Sequence, residues 1–169
     1  KSAGMLVIVD AVTSLAGIDL KADAWGADVV YSGTQKCLSG LPGISPITFS
    51  DDAVSAIQAR TQKVQSWFLD MNLIMGYWGE GAKRAYHHTA PVNAIYALHE
   101  ALLMLEEESL ETSIARHQDN HVTLAAGLSK LGLDLAVSEP WRLPQLNSVL
   151  IQQGIDDATI RARLLNEFD

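Results

Sequence analysis

Residues Met5 to Val9 form an uninterrupted apolar run that stops at an acid, Asp10. A strand with one face in water alternates apolar and polar residues, so a run apolar at every position is expected for a strand covered on both faces, as in the parallel sheet of an α/β domain. A second short run, Ala27 to Tyr31, ends in the same way and gives out onto Ser32-Gly33-Thr34-Gln35-Lys36. Open α/β sheets bind their ligands just beyond the carboxyl ends of the strands. The residues that follow these two runs are therefore the first place to look for chemistry.

Between the two runs, Ala11 to Leu20 is small and apolar with turn residues Ser14 and Gly17, and Asp23 to Gly26 has helix-start residue types. After Lys36, Ser39 to Gly43 is turn chemistry and Ile44 to Phe49 a third strand. So short a connection cannot hold a crossover helix, which makes this strand antiparallel to its predecessor. A surface helix is expected over Asp51 to Thr61, begun by Ser50 or Asp51, and mixed loop and short helix over Val64 to Ala85, which contains Trp67, Phe68 and Trp78.

Thr89 and Pro91 suit a helix start, and Val92, Ile95, Tyr96, Leu98, Leu102, Leu103 and Leu105 make a stripe wide enough for a mostly buried helix. The acids Glu106, Glu107 and Glu108 read as a solvated face. A second amphipathic pattern through Leu110, Ile114, Leu124, Leu128 and Leu131 closes at Gly132. Leu133 to Val137 and Ser148 to Ile151 read as strands, and Asp156 to Phe168 as a helix with Ile160, Leu164, Leu165 and Phe168 on one face. The fold class is α/β: a mostly parallel sheet with one antiparallel strand over residues 1–110, then a connecting helix and the beginning of a small α+β domain over 111–169. The boundary falls between Glu106 and Gly132.

Composition narrows the partners. Twenty acidic against twelve basic side chains give a net charge of -8, which repels nucleic acid and anionic membrane surfaces. No apolar run reaches the length of a membrane span. The single cysteine, Cys37, rules out an internal disulfide framework and reads as a small buried hydrophobe; it fits a reducing, cytoplasmic setting, with a peroxisome or mitochondrion as the eukaryotic alternatives. No metal site is expected at His87-His88, because sequence neighbours point apart on regular structure and no third ligand stands at a suitable spacing. His99, His117 and His121 are given no role.

Two residues carry candidate chemistry. Lys36, at the end of a buried strand, is either a Schiff-base lysine, activated where desolvation or a nearby cation lowers its pKa, or a solvated loop lysine. Asp10 either caps the turn after its strand or holds a cationic ring nitrogen. Position alone leaves both pairs of readings open.

Four segments in order, Asp10-Ala11-Val12-Thr13-Ser14, YSGTQK ending at Lys36, LPGISPITFS, and YHHTAP beginning at Tyr86, resemble the class V group of pyridoxal-phosphate aminotransferases, with alanine-glyoxylate and serine-pyruvate aminotransferases the most similar members. The likeness runs over essentially the whole chain, and the 26 positions from Asp10 to Lys36 suit the family. It implies the fold of the pyridoxal-phosphate transferases and transamination between a small amino acid, alanine or serine, and a small 2-oxo acid, glyoxylate or pyruvate. It also implies pyridoxal 5'-phosphate attached to Lys36, which would move the proton between substrate and cofactor carbons. Asp10 would pair with the pyridine nitrogen, Val12 would pack on the ring, and Gln35 would reach the phosphate. Tyr86 and Thr89 would touch the phosphate of a neighbouring subunit's cofactor, so a homodimer with shared sites is implied.

Two further readings accompany this one. Kynurenine-pathway transaminases, desulfurases and lyases share the Asp10 and Lys36 pair, and a self-associating inactive piece would use the Tyr86 to Pro91 region. The family's glycine-containing phosphate loop and stacking aromatic are expected upstream of this chain, and its carboxylate-binding arginine downstream; Arg142, Arg161 and Arg163 do not match that arginine. The chain is therefore expected to be an internal piece of a longer protein and, alone, a poor or inactive catalyst.

Overall fold

A computed structural model describes residues 3–77 and 85–168; Lys1, Ser2 and Trp78 lie outside the described residues, as does the segment 78–84 of the stretch expected to mix loop and short helix. Among the described residues the sheet has three strands in the order β1 (Ile8–Asp10), β2 (Val29–Tyr31), β3 (Ile47–Phe49). β1 and β2 are parallel with Asp10 opposite Tyr31, and β2 and β3 are antiparallel with Val29 opposite Phe49. Both directions are as expected, the second because the chain between β2 and β3 turns back on itself instead of crossing the sheet.

The run at Met5 to Val9 departs from expectation. The strand is only Ile8–Asp10, and Met5, Leu6, Val7 and Ile8 are exposed. β1 has a hydrogen-bonded neighbour on one side only, so its apolar character is not spent on burial within these residues.

The described residues contain six α-helices: α1 (Ala22–Trp25), α2 (Asp51–Gln58), α3 (Met71–Ile74), α4 (Val92–Glu108), α5 (Leu110–Lys130) and α6 (Asp157–Phe168). Gly26 ends α1 in the left-handed conformation, with φ of 66°, which a residue without Cβ adopts at no steric cost. Ser50 caps α2 by accepting from Ala53 N at 3.2 Å, and Asp156 caps α6 by accepting from the Thr159 amide and hydroxyl at 2.9 and 2.7 Å. α5 closes on Gly132, whose N–H reaches Ser129 O at 3.0 Å.

Two further expectations need correction. α4 is not mostly buried: only Ala101 is, while Ile95, Tyr96, Leu102 and Leu103 are exposed, since its stripe is wider than the surface that these residues offer it. The strands expected at 133–137 and 148–151 reduce to a single antiparallel bridge, Leu135 with Val149, flanked by Ala136 N to Ser148 O and Leu150 N to Asp134 O, each 2.8 Å. A pair with no third strand beside it has little to extend its ladder. On the acid face Glu106 and Glu107 are exposed, and Glu108, half-buried, makes a bidentate pair with Arg116 at 2.6 and 2.9 Å that is open to solvent.

The core is small and centred on the sheet's carboxyl end: Ala11, Ala16, Val30 and Leu38, with polar Ser14, Ser32 and Thr34 buried among them. α5 is tied there through Ser113, 1% exposed, whose hydroxyl donates to Ala16 O at 3.2 Å.

Candidate active site

The parallel pairing puts the residues after β1 and β2 at one edge of the sheet, and hydrogen bonds continue past the last paired residues. Ala11 N donates to Tyr31 O at 2.8 Å, and Ser32 Oγ donates to Ala11 O at 2.8 Å. The backbone at Asp10 is thereby fixed to the segment that leads to Lys36.

Asp10 is held by two donors. Val12 N–H reaches Oδ1 at 2.9 Å, and the Tyr31 hydroxyl reaches Oδ2 at 2.8 Å. The Val12 amide foremost, then the Tyr31 hydroxyl, hold the carboxyl below its ordinary range, while the bond to Asp10 is the main cause raising the Tyr31 phenol. Asp10 is exposed, so this is an anion kept charged by hydrogen bonding at a strand end.

Lys36 lies in a turn closed by Ser39 N to Lys36 O at 2.8 Å, and its side chain is exposed. The brace beneath it is Thr34, 1% exposed: its carbonyl accepts from Gly40 N at 2.8 Å, its hydroxyl donates to Leu41 O, and its N–H reaches Ile44 O at 3.4 Å. Gly40 packs closely there: a Cβ would stand 3.3 Å from Thr34 O, a tight contact that would need a small shift. Gln35 is exposed and folds its amide over Gly33, and Val12 is half-buried.

Lys36 opens onto a cleft of about 290 Å³ with Thr13, Cys37, Arg116, His117 and Gln145. Two of these were given no role by the sequence: His117 belongs to α5, and its helical spacing alone could not show which face meets the Lys36 turn. Cys37 is half-buried; its thiol lies 3.4 Å from Thr13 O, and burial is the main cause raising its pKa. Tyr31 was also missed, for only the register reveals it as Asp10's neighbour.

Tyr86 and Thr89 are brought together, their hydroxyls 2.8 Å apart, but Thr89 lines a different groove from that of Lys36. This larger groove, about 880 Å³, includes Ile47, Trp67, Phe68 and both His87 and His88. The two histidines do not point apart: they sit in a bend, not in a helix or strand, with ring centroids 4.2 Å apart, His87 against Trp67 at 3.9 Å and His88 against Phe68 at 4.3 Å.

Residues 1–164 match the family model described as aminotransferase class-V. Alanine–glyoxylate aminotransferase of Callithrix jacchus is 41% identical over 165 residues, covering 96% of this chain and 40% of the relative. (S)-ureidoglycine–glyoxylate transaminase of Bacillus subtilis is 34% identical, covering 96% of this chain and 43% of the relative. The crystal structure of alanine–glyoxylate aminotransferase from Nostoc sp. superposes with a TM-score of 0.91 at 47% identity, over 99% of this chain and 44% of that one. The chain belongs to the class V aminotransferase family and has its fold, and it spans about two fifths of the length of these relatives.

Class V aminotransferases depend on pyridoxal phosphate, and the donor set here fits that group. A carboxylate kept anionic by two donors suits a cationic ring nitrogen, and an accessible amine in the neighbouring turn suits an aldehyde carbon. Among the described residues, no helix is long and apolar enough to cross a membrane.

Proposed function

We propose that the protein of which this chain is a part transfers an amino group between a small amino acid, alanine or serine, and a small 2-oxo acid, glyoxylate or pyruvate, with pyridoxal phosphate attached at Lys36. The observation that carries this reading is the shared sheet edge: Asp10 ends β1, and Lys36 follows β2, its parallel partner, with the Ala11 bonds fixing one segment against the other. Bound pyridoxal phosphate supplies an electron sink for the pair released at the substrate carbon.

The chain's own groups divide the remaining work. Lys36 Nζ would hold the cofactor and would move the proton at the reacting carbon. The Asp10 carboxylate favours the protonated ring nitrogen by its opposite charge. Val12 covers part of one ring face, and Gln35 serves the phosphate. Tyr86 and Thr89, an exposed hydroxyl pair of which Thr89 lines a groove apart from Lys36, serve the phosphate in a second subunit, so the working form is a homodimer. The division into a cofactor-binding part, 1–110, and the beginning of a smaller domain, 111–169, is supported by the break at Ser109, whose φ of 70° separates α4 from α5.

The test is to mix the protein with pyridoxal phosphate, reduce with borohydride and map the labelled peptide by mass spectrometry. Label on Lys36, lost in Lys36→Ala, supports the reading, and absence of label on Lys36 refutes it. Profiling amino donors and 2-oxo acids on the full-length protein then tests the substrate pair.

A further inference from the structure

Asp10 offers four acceptor positions, two on each oxygen. Val12 N–H takes one on Oδ1 at 2.9 Å and the Tyr31 hydroxyl takes one on Oδ2 at 2.8 Å. The first donor is local, two residues along the chain, and fixes one oxygen only. The second comes from the neighbouring strand, and it is possible only because register places Asp10 and Tyr31 as direct partners, with side chains on the same face at the same edge. One donor leaves a carboxylate free to turn about its bond to the chain; donors on both oxygens fix its plane. The Tyr31 hydroxyl reaches no other partner among the hydrogen bonds of the described residues, and Tyr31 stands five positions before Lys36 on the chain that carries it.

We propose that Tyr31 is the positioning residue for Asp10: its phenol locks the second carboxylate oxygen, so that the acceptor lobes left free face outward from the sheet edge where a ring nitrogen would be held. This rests on the cofactor reading above. The phenol itself does no chemistry. Its proton stays on oxygen, since the bond to the anion raises the phenol's pKa, and the same bond helps keep the acid charged.

The coupling is measured first without cofactor. The side-chain carboxyl of Asp10 is followed by ¹³C NMR across acid pH, and the Tyr31 phenol by ultraviolet titration across alkaline pH. Tyr31→Phe is expected to move the Asp10 midpoint upward, and Asp10→Asn to move the Tyr31 midpoint downward. A role confined to packing would move neither. Retention of pyridoxal phosphate, read by equilibrium dialysis, is expected to weaken by about three- to ten-fold in Tyr31→Phe, the loss of one charge-assisted but solvent-screened bond. Dispersed amide spectra of each variant establish that it is folded, and the two reciprocal variants guard against one failing. Unchanged midpoints in both variants overturn the proposal. Shifted midpoints with unchanged retention overturn the positioning role. Absence of Lys36 label in the unmodified protein overturns the cofactor reading and this proposal with it, whereas label on Lys36 together with unchanged midpoints overturns this proposal alone.

Discussion

Replacement of Asp28 tests how the site's strand is held in place. Asp28 is 1% exposed and stands just before β2. Its Oδ2 accepts from Val7 N at 2.8 Å, immediately ahead of β1, and its Oδ1 accepts from Ser50 Oγ at 2.8 Å, at the cap of α2. One buried carboxylate thus ties all three segments. In Asp28→Ala both donors lose their acceptor. Two bonds to a charged group, at about 1.5–3 kcal/mol each, would sum to more, but removing the charge returns part of its desolvation cost, so a loss of about 3 kcal/mol is expected.

Asp28→Asn behaves differently. Its carbonyl can take the Val7 N–H and its amide can donate to Ser50 Oγ, whose second lone pair already accepts from Ala53 N, so the expected loss is only about 1 kcal/mol. Urea unfolding followed by circular dichroism reads both. In Asp28→Ala, β1 should also fray, seen as faster amide exchange at Val9 and Ala11, whose N–H groups face β2. A loss below about 1 kcal/mol in Asp28→Ala, or equal losses in the two variants, would refute the reasoning, because it depends on the acceptors and not on the charge.

Gly17→Ala should destabilise by about 1–3 kcal/mol, since a Cβ there would stand 2.8 Å from Cys37 Sγ and 2.9 Å from Gln145 Cδ; adding Gln145→Ala should recover part of the loss, and thermal unfolding of the pair measures it. Ser113→Ala removes the buried bond to Ala16 O that ties α5 to the sheet edge, and is expected to cost about 1 kcal/mol in the same assay. Acid should weaken the fold in a defined window. Asp10, Glu108 and Asp156 are held below their ordinary values of 3.8, 4.5 and 3.8, chiefly by the Val12 amide, Arg116 and Thr159 respectively. Each such group contributes stability that is complete above its ordinary value and is lost as pH falls through its lowered folded value. The urea midpoint should therefore be level above about pH 5.5 and decline below the ordinary values, with the slope reduced in Glu108→Gln and in high salt because the Glu108–Arg116 ion pair is open to solvent.

The apolar runs and turn residues made the order and direction of the three strands legible, because a short connection between β2 and β3 admits only one direction. Register was not legible: nothing in Ala27 to Tyr31 says which residue faces Asp10, and so Tyr31 went unseen while Asp10 did not. Burial was misjudged at β1 and α4 for one reason. An apolar stripe records what a segment is able to bury, and the partner that would cover it need not be among the same residues. At His87-His88 the argument from regular structure failed because the pair sits in a bend, where adjacent rings can stack. Arg116 and His117 line the Lys36 cleft on a helix tied to the sheet's carboxyl end by Ser113, a tertiary contact that helical periodicity does not encode.

Stability and site meet in the pairing of β1 with β2. Only three residue pairs join them, and each end is closed by a bond outside the ladder: Val7 N to the Asp28 carboxylate at one end, Ala11 N to Tyr31 O and Ser32 Oγ to Ala11 O at the other. A slip of one residue would turn one strand's side chains to the opposite face. Asp10 would then lose the Tyr31 hydroxyl, and the Lys36 turn would shift along the edge by one residue, about 3.3 Å. With so short a ladder, the two closures must set the register, and they do so with polar groups whose partners are specific. An apolar contact tolerates a slide, whereas a buried carboxylate that has lost its donors does not. The distance between an acid and a lysine 26 positions apart is thus governed by Asp28 and Ser32, neither of which stands among the residues assigned to the chemistry.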